Sequence, residues 1–285
     1  MITGASSGIG LACASRLEAL GYRVFAGVRS VADGEEVRGV AQGITPVILD
    51  VCQRSSILSA VGALGGEPLA GLINNAGVAA IGPMELVPVE AWRHQFEVNV
   101  IGLVSVTQAC LPLLRRGMGR IVNIGSIAGR SALPGSGAYD SSKFALEGLS
   151  DALRLELRPF GISVSLVEPG AIATGIWQKT LTELDKRNRE AAPELRALYS
   201  DLMSAIREET VQSEARALPP DAVAGAVVHA ITASKPKTRY VVGRDAQFWL
   251  LLNYLPDRVR DWLILRQLRD GQLANDSAAG KISSQ

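Results

Sequence analysis

At 285 residues, with 47% hydrophobic and 20% charged residues, the chain is long enough for one large α/β domain with a sizeable core. A formal net charge of +1 provides no field for nucleic acid or an anionic membrane surface. Three cysteines, Cys13, Cys52 and Cys110, lack metal-ligand and redox spacing, which excludes a cysteine metal centre and points to buried free thiols in a reducing, cytoplasmic setting.

The chain opens Met1-Ile-Thr-Gly4-Ala-Ser-Ser-Gly8-Ile-Gly10, and an alanine-rich helical run follows over 11–20. Glycines at these positions, between a strand and a helix, make a tight turn that lets a pyrophosphate approach the backbone and meet the helix N-terminus. The pattern alone is weak, and a glycine-rich turn without a ligand is the plainer alternative. Because the first residues already belong to the motif, no signal peptide is expected.

Strands and helices then alternate. Residues 23–28 read as a buried strand, 33–41 as a helix, 44–49 as a strand ending at Asp50-Val51, and 55–64 as a helix. Residues 71–73 form a short strand stopped by Asn74-Asn75-Ala76-Gly77, and 90–116 read as one long helix bent near Pro112. Strand 120–124, helix 139–158 and strand 162–167 follow, then the turn Glu168-Pro169-Gly170. Apolar strands alternating with helices specify an α/β fold with a doubly wound parallel β-sheet and helices on both faces. From 177 to 216 the composition turns charged, with leucines at roughly helical spacing, and this stretch reads as a helical lid inserted over the substrate. A helix from 220 to 233, a last strand at 238–242 and an apolar segment 248–268 broken at Pro256 complete a single domain over 1–270. That segment reads as a core or oligomer-contact helix, with a peripheral membrane contact as the alternative. No apolar run reaches the length of a membrane span. Residues 271–285, small and polar, read as a disordered tail. His94 and His229 lie far from any motif and read as structural.

Chemistry concentrates between Ser126 and Lys143. Ser126 ends the strand at 120–124, a Pro/Gly/Ser loop returns the chain, and Tyr139 and Lys143 stand four apart at a helix start. That spacing puts phenol and ammonium on one helix face. A tyrosine titrates near ~10 when free, and a neighbouring ammonium favours the phenolate, so the pair suits proton transfer near neutrality. The serine hydroxyl can hold a substrate oxygen beside it. A surface Tyr and Lys at a helix start is the plain alternative.

Thr3-Gly4-x-x-x-Gly8-Ile9-Gly10, Asn74-Asn75-Ala76-Gly77, Asn99, Ser126, Tyr139-x-x-x-Lys143 and Pro169-Gly170 together resemble, in order and spacing, the short-chain dehydrogenases/reductases. The likeness covers about residues 1–176. Looser runs at 25–29, 139–148 and 239–245 resemble the retinol dehydrogenase and 17β-hydroxysteroid dehydrogenase-like branch. The resemblance implies a Rossmann-type fold of about seven parallel strands and a nicotinamide cofactor, NADP(H) or NAD(H). It implies Tyr139 as general acid/base, Lys143 as its partner and a nicotinamide-ribose ligand, Ser126 as the group orienting the substrate oxygen, and Asn99 as the holder of a relay water, with a buried structural amide as the alternative for Asn99. The cofactor positions it implies are Gly4, Ser6, Ser7, Gly8, Ile9, Gly10, Arg29, Ser30, Asp50, Val51, Asn75, Ala76, Gly77, Tyr139, Lys143, Pro169, Gly170, Ile172 and Thr174. It also implies pairing of subunits through the helices near 90–116 and 139–158 into a homodimer or homotetramer. One departure is a first strand reduced to Met1-Ile2, which leaves open a short central strand or a true start upstream of Met1.

Val28 stands where NAD-preferring relatives carry an acid for the ribose hydroxyls, and Arg29 and Ser30 follow it. A guanidinium there matches a 2′-phosphate, so NADP(H) is the expected cofactor, with Asp50 facing the adenine. The expected activity is hydride transfer to or from the carbinol or carbonyl carbon of a bulky apolar alcohol or ketone. The alternative from another class is a non-catalytic dinucleotide-binding redox sensor or scaffold, which the presence of both Tyr139 and Lys143 disfavours.

Overall fold

Every residue of β1 (Val24–Val28) is buried, and β1 pairs in parallel with β2 (Ile44–Ile48). On the other side, β3 (Gly71–Asn74), β4 (Arg120–Ile124), β5 (Ser163–Pro169) and β6 (Arg239–Val242) pair in that order, all in parallel. The computed structural model describes residues 1–40 and 42–266. Ile2 joins the two halves by bridging Ala26 and Ile73. The sheet order is therefore β2-β1-Ile2-β3-β4-β5-β6, the doubly wound Rossmann arrangement, with Ile2 as its seventh and shortest line.

The short central segment still satisfies its neighbours. Ile2 N donates to Phe25 O at 2.9 Å and Gly27 N donates back to Ile2 O at 2.7 Å. Thr3 N donates to Ile73 O at 3.0 Å, Ile73 N to Met1 O at 2.9 Å, and the Met1 ammonium to Gly71 O at 2.9 Å. Burial without a carboxylate pushes that ammonium down to about 6.

Helices cover both faces. On one side α1 (Gly8–Ala19), α2 (Val31–Val40) and α10 (Pro220–Thr232) bury Cys13, Leu17, Val37, Val223 and Val227 against Val28, Val122 and Val167. On the other, α3 (Arg54–Gly62), α5 (Leu103–Gly117) and α6 (Gly137–Leu157) pack Ile57, Val106, Cys110, Leu114 and Leu157 on Phe25, Leu72, Ile121 and Val164. Each such fully buried aliphatic side chain contributes about 1.5–3 kcal/mol. Cys13 and Cys110 are pushed up to about 12 and about 11 by burial and act as small apolar fillers.

The expected long helix is continuous but not uniform. It comprises α4 (Val89–Phe96), a π-helical turn at Glu97–Gly102 and α5, which runs through Pro112 to Gly117. The departure from α geometry thus lies at Asn99, ahead of the proline. Contrary to the sequence expectation, the 29-residue run Val89–Gly117 is long and apolar enough to cross a membrane; in the fold its buried face belongs to the core.

The 177–216 stretch is helical as expected: α7 (Ile176–Glu190), α8 (Pro193–Leu198) and α9 (Ser200–Ala215). Leu184, Met203 and Ile206 form its own small core with Ile81, Leu86 and Tyr199. Leu198, by contrast, is 70% exposed. Beyond β6, α11 (Arg244–Leu252) and a helix over 257–266 flank Pro256. Here packing departs from the core-helix expectation: Ala246 and Ile264 are buried, but Phe248, Leu251, Tyr254, Trp262 and Leu265 face outward. The expected helix end at Ala41, residues 267–270 and the tail over 271–285 lie outside the described residues.

Candidate active site

Two loops at the carboxyl ends of adjacent strands frame the site. Gly4 and Gly8 adopt left-handed φ values of 61° and 55°. A Cβ on Gly4 would lie 2.9 Å from Ala76 Cα, and one on Gly10 would lie 2.6 Å from Asn75 Nδ2, so only glycine permits this approach of α1 to the Asn75 loop. Thr3, which the sequence reading left out of the site, locks the contact. Its hydroxyl accepts from Asn75 N and Ala76 N, both at 2.9 Å, while Asn75 Nδ2 donates to Thr3 O at 3.0 Å and Gly4 O at 2.8 Å.

Ser7 takes the N-cap position of α1 with extended backbone and no side-chain cap bond, and the first turn holds no acid. Ser6 is half-buried and Ser7 exposed beside it, followed by half-buried Ile9. Thr174 faces this turn, since a Cβ on Gly8 would sit 3.0 Å from its Cγ2. Glycine cradle and uncapped helix N-terminus fit a dinucleotide diphosphate. A shallow groove of about 660 Å³, lined by Gly8, Leu11, Thr174 and Gln178 among others, lies over this turn; Ser126 and Tyr139 do not line it.

The other implied cofactor positions surround that cradle. Arg29 is exposed at the end of β1. Ser30 caps α2: its hydroxyl donates to Asp33 Oδ2 at 2.7 Å and accepts from Asp33 N at 3.1 Å. Asp50 Oδ1 accepts from Cys52 N at 2.9 Å and Oδ2 from Gln53 Nε2 at 2.9 Å, beside buried Val51. Gly77 lies next to Asn99, whose Oδ1 would be 3.5 Å from a Cβ there. At the end of β5, Gly170 N donates to Val242 O at 2.9 Å, and Ala171 N to the Asp245 carboxylate at 2.7 Å. Ile172 is buried, and its carbonyl accepts from Trp177 Nε1 at 2.7 Å in the first turn of α7.

Ser126 leaves β4 with extended backbone, and its Oγ accepts from Ala128 N at 3.1 Å, capping a short 3₁₀ turn at Ile127–Gly129. Tyr139 enters from the first turn of α6, and the Ser126 hydroxyl lies near enough to its phenol to pull on its proton. Lys143, 7% exposed, donates from Nζ to Ile124 O at 2.9 Å and lies 5.6 Å from the Tyr139 ring centroid. Serine, tyrosine and lysine therefore converge as their spacing suggests, but the electrostatics differ from expectation. Burial pushes the Tyr139 phenol up to about 12, overriding the opposite pull of the Ser126 hydroxyl, and Asp140 adds a smaller upward push. Burial likewise pushes Lys143 down to about 8. Helical spacing predicts proximity; it does not predict that the ammonium turns toward a strand carbonyl.

The Asn99 side-chain amide is engaged within the protein. Its Oδ1 accepts from Val78 N at 2.9 Å, and its Nδ2 donates to Val78 O and to Ser142 Oγ, both at 3.1 Å. Gln95, one turn earlier and fully buried, accepts from Ala80 N and donates to Val78 O, each at 2.7 Å, and donates to Ser142 Oγ at 3.2 Å. Together these amides clamp the segment after Gly77 to the helix that carries Tyr139. Two amides four apart on an apolar helix were the available signal for Gln95. Among the described residues no group of acidic, histidine and cysteine side chains could hold a metal.

The family profile described as short chain dehydrogenase matches residues 1–185. The chain is 37% identical over 278 residues to 17-beta-hydroxysteroid dehydrogenase type 6 of Bos taurus, covering 93% of this chain and 87% of that protein. It is 35% identical over 274 residues to retinol dehydrogenase 16 of Mus musculus, covering 92% and 86%. A solved structure of a short-chain dehydrogenase from Streptomyces avermitilis superposes with a TM-score of 0.74 at 29% identity, covering 92% of this chain and 93% of that one.

Proposed function

The chain belongs to the short-chain dehydrogenase family, and from that premise we propose that it transfers a hydride between NADP(H) and the carbinol or carbonyl carbon of a bulky apolar alcohol or ketone, with Tyr139 moving the hydroxyl proton. The observation that carries this reading is the convergence of Ser126, Tyr139 and Lys143 at the carboxyl end of β4, on the same edge of the parallel sheet as the glycine cradle. When bound, the nicotinamide supplies or accepts the hydride. The Gly4–Gly10 turn would hold the diphosphate, Arg29 the 2′-phosphate, Asp50 and Val51 the adenine side, and Lys143 with Tyr139 the nicotinamide ribose.

The residues' tasks follow from their chemistry. The Ser126 hydroxyl orients the substrate oxygen. The Tyr139 hydroxyl gives the proton in reduction and takes it in oxidation. With its phenol held at about 12 in this structure, Tyr139 favours the protonated, donating form; the oxidative direction needs Lys143 to turn its charge from Ile124 O toward the phenol. Proximity provides much of the rate, since a rigid sheet edge holds the reacting groups together.

Substrate bulk is supported by the relatives, named for a hydroxysteroid and a retinol dehydrogenase. It is supported too by the apolar underside of α7–α9, where Leu184, Met203 and Ile206 meet Ile81 and Leu86. Arg187 Nη1 donates to Ile81 O at 2.5 Å and Tyr199 OH to Glu85 Oε2 at 2.8 Å, tying these helices to the body as a lid would be tied. Ile101, Phe144 and Leu155 are exposed on the two long helices, which supports pairing of subunits there. The test is cofactor oxidation and reduction with alcohols and ketones graded in bulk; tight dinucleotide binding without turnover of any of them would instead favour a sensor or scaffold.

A further inference from the structure

Glu168 precedes the Pro169-Gly170 turn on β5 and its side chain is 1% exposed. Around it lies an ion cluster that the proposed chemistry does not use. Arg130 Nη1 donates to Glu168 Oε1 at 3.2 Å and lies 3.8 Å from Glu147 Oε2. Arg239 donates twice to Glu147 Oε2, both at 3.0 Å, and once to Asp151 Oδ2 at 2.8 Å. Arg154 Nη2 completes the set on Asp151 Oδ1 at 3.0 Å.

The positions of these side chains matter more than their number. Arg130 closes the turn that begins at Ser126. Glu147 and Asp151 follow Lys143 by one and two turns on the same face of α6. Glu168 abuts the turn assigned to the cofactor, and Arg239 opens β6. The Ser126 turn also rests directly on α6: a Cβ on Gly129 would lie 2.8 Å from Lys143 O and 3.4 Å from Glu147 Cγ. Arg130 O further accepts from Asn253 Nδ2 at 2.8 Å, which fastens α11 to the same point.

An ion cluster anchored on one buried carboxylate is a poor stabiliser: desolvation of Glu168 offsets much of the Coulomb gain, and water screens the half-exposed pairs of its other members. Its geometry can fix register, and a displacement of about 1 Å in a reacting group costs on the order of a hundredfold in rate. Resting on the reading of Ser126, Tyr139 and Lys143 as the reacting groups, we infer that Arg130 and Glu168 are positioning residues: through Glu147 and Arg239 they lock the Ser126 turn, the Tyr139–Lys143 helix and the Pro169-Gly170 turn into one register.

Protonation belongs to this lock. Burial first, and then the hydrogen bond and charge of Glu147, push Glu168 up to about 7, against the opposing pull of Arg130 and Arg239. The titratable groups facing it are Arg130 from the turn, Glu147 and Asp151 with its partner Arg154 from α6, and Arg239 from β6. A protonated Glu168 donates to Glu147; an ionised one repels it and loosens the contact between β5 and α6.

The experiment compares Arg130→Met, Glu168→Ala and Glu168→Gln with the wild type in kcat, KM, NADPH Kd and melting temperature. Arg130→Met and Glu168→Ala are expected to lower kcat by about tenfold or more with KM and Kd within about threefold. Glu168→Gln, which keeps a neutral hydrogen bond and cannot ionise, is expected to restore kcat near about pH 6. It is also expected to lack a fall in kcat that the wild type shows above about pH 7. Unchanged kcat in folded Arg130→Met, or Glu168→Gln no better than Glu168→Ala, overturns the inference. Hydrogen exchange of Arg130→Met separates this from failure of the functional reading. Faster exchange over 126–130 and 139–147 is expected even if no alcohol is turned over, and exchange identical to wild type in both segments overturns the lock by itself.

Discussion

Lys143 Nζ donates to the Ile124 carbonyl at 2.9 Å, so the ammonium at the centre of the site is bonded to the last residue of β4, the strand that leads into Ser126. A buried cation with only a carbonyl partner holds its proton less tightly than the unfolded chain does, and burial pushes Lys143 down from 10.5 to about 8. Between those values the unfolded chain binds more protons than the folded one, so this group adds stability as pH rises. The contribution is fully present above about 10.5 and is lost as pH falls through about 8. Lys143→Met should remove that dependence. In denaturant melts the difference between variant and wild type should change by roughly 3 kcal/mol across this window. A constant difference across the window would show that the ammonium is not desolvated.

Tyr139→Phe deletes the proton donor and keeps the ring. Because only the hydroxyl is lost, the fold should survive with at most a small drop in melting temperature. Turnover of any confirmed substrate should fall by about two powers of ten or more, with NADPH still bound. Near wild-type turnover in the variant would remove Tyr139 from the reaction.

In the lid, Leu184 and Leu198 should behave oppositely. Leu184 is 1% exposed in the small core with Met203 and Ile206, whereas Leu198 is 70% exposed. Leu184→Ala should change KM several-fold among substrates of different bulk and leave NADPH affinity alone, while Leu198→Ala should change neither. Hydrogen exchange should show α7–α9 opening more readily than the sheet. Equal effects on all substrates, with protection like that of the core, would make these helices a structural insertion only.

Strand β4 occupies the five residues that its apolar run outlines in the sequence, and the glycine turn, the helices of the 177–216 stretch and the break at Pro256 are equally legible, because each depends on local pattern. What stayed hidden depends on tertiary partners. Spacing put Lys143 beside Tyr139 but could not give the burial that raises the phenol or the turn of Nζ toward Ile124. Asn99 was legible as a site position, yet its side chain is taken by Val78 and Ser142, which lie 21 and 43 residues away in the chain. Glu168 and Arg130, separated by 38 residues, show no sequence pattern that would pair them. The outward-facing Phe248, Leu251 and Trp262 gave a core-like signal, since composition does not say which face of a helix meets the sheet.

The glycine cradle makes a sharper test than the catalytic residues, because it acts on binding alone. A methyl on Gly10 would press on the Asn75 side chain, 2.6 Å from its Nδ2, and on the Gly4 carbonyl behind it. Gly10→Ala should push α1 away from the Asn75 loop and lower affinity for NADPH and NADH alike by roughly tenfold or more, measured by nucleotide fluorescence. Wild-type affinity for both would move the diphosphate away from this turn.

Cofactor choice turns on a balance of charges at the end of β1. Arg29 is exposed there, free to meet a 2′-phosphate through its planar fork. Ser30 is already engaged: its hydroxyl donates to Asp33 Oδ2 at 2.7 Å, and its backbone N donates to the same oxygen at 3.1 Å. That bond holds a carboxylate close to the place a phosphate would take, so Asp33 opposes what Arg29 favours. Arg29 has the better geometry, since the Asp33 charge is partly satisfied by the two donors of Ser30. Arg29→Ala should therefore weaken NADPH binding by roughly 1–3 kcal/mol and leave NADH nearly unchanged. Asp33→Asn should do the reverse, tightening NADPH by a smaller amount while sparing NADH, with the effect shrinking in high salt because both groups are exposed. Dissociation constants for the two nucleotides, in wild type and both variants at two salt concentrations, decide the matter. Tighter NADH than NADPH in the wild type, or equal weakening of both by Arg29→Ala, would assign the chain to NAD(H).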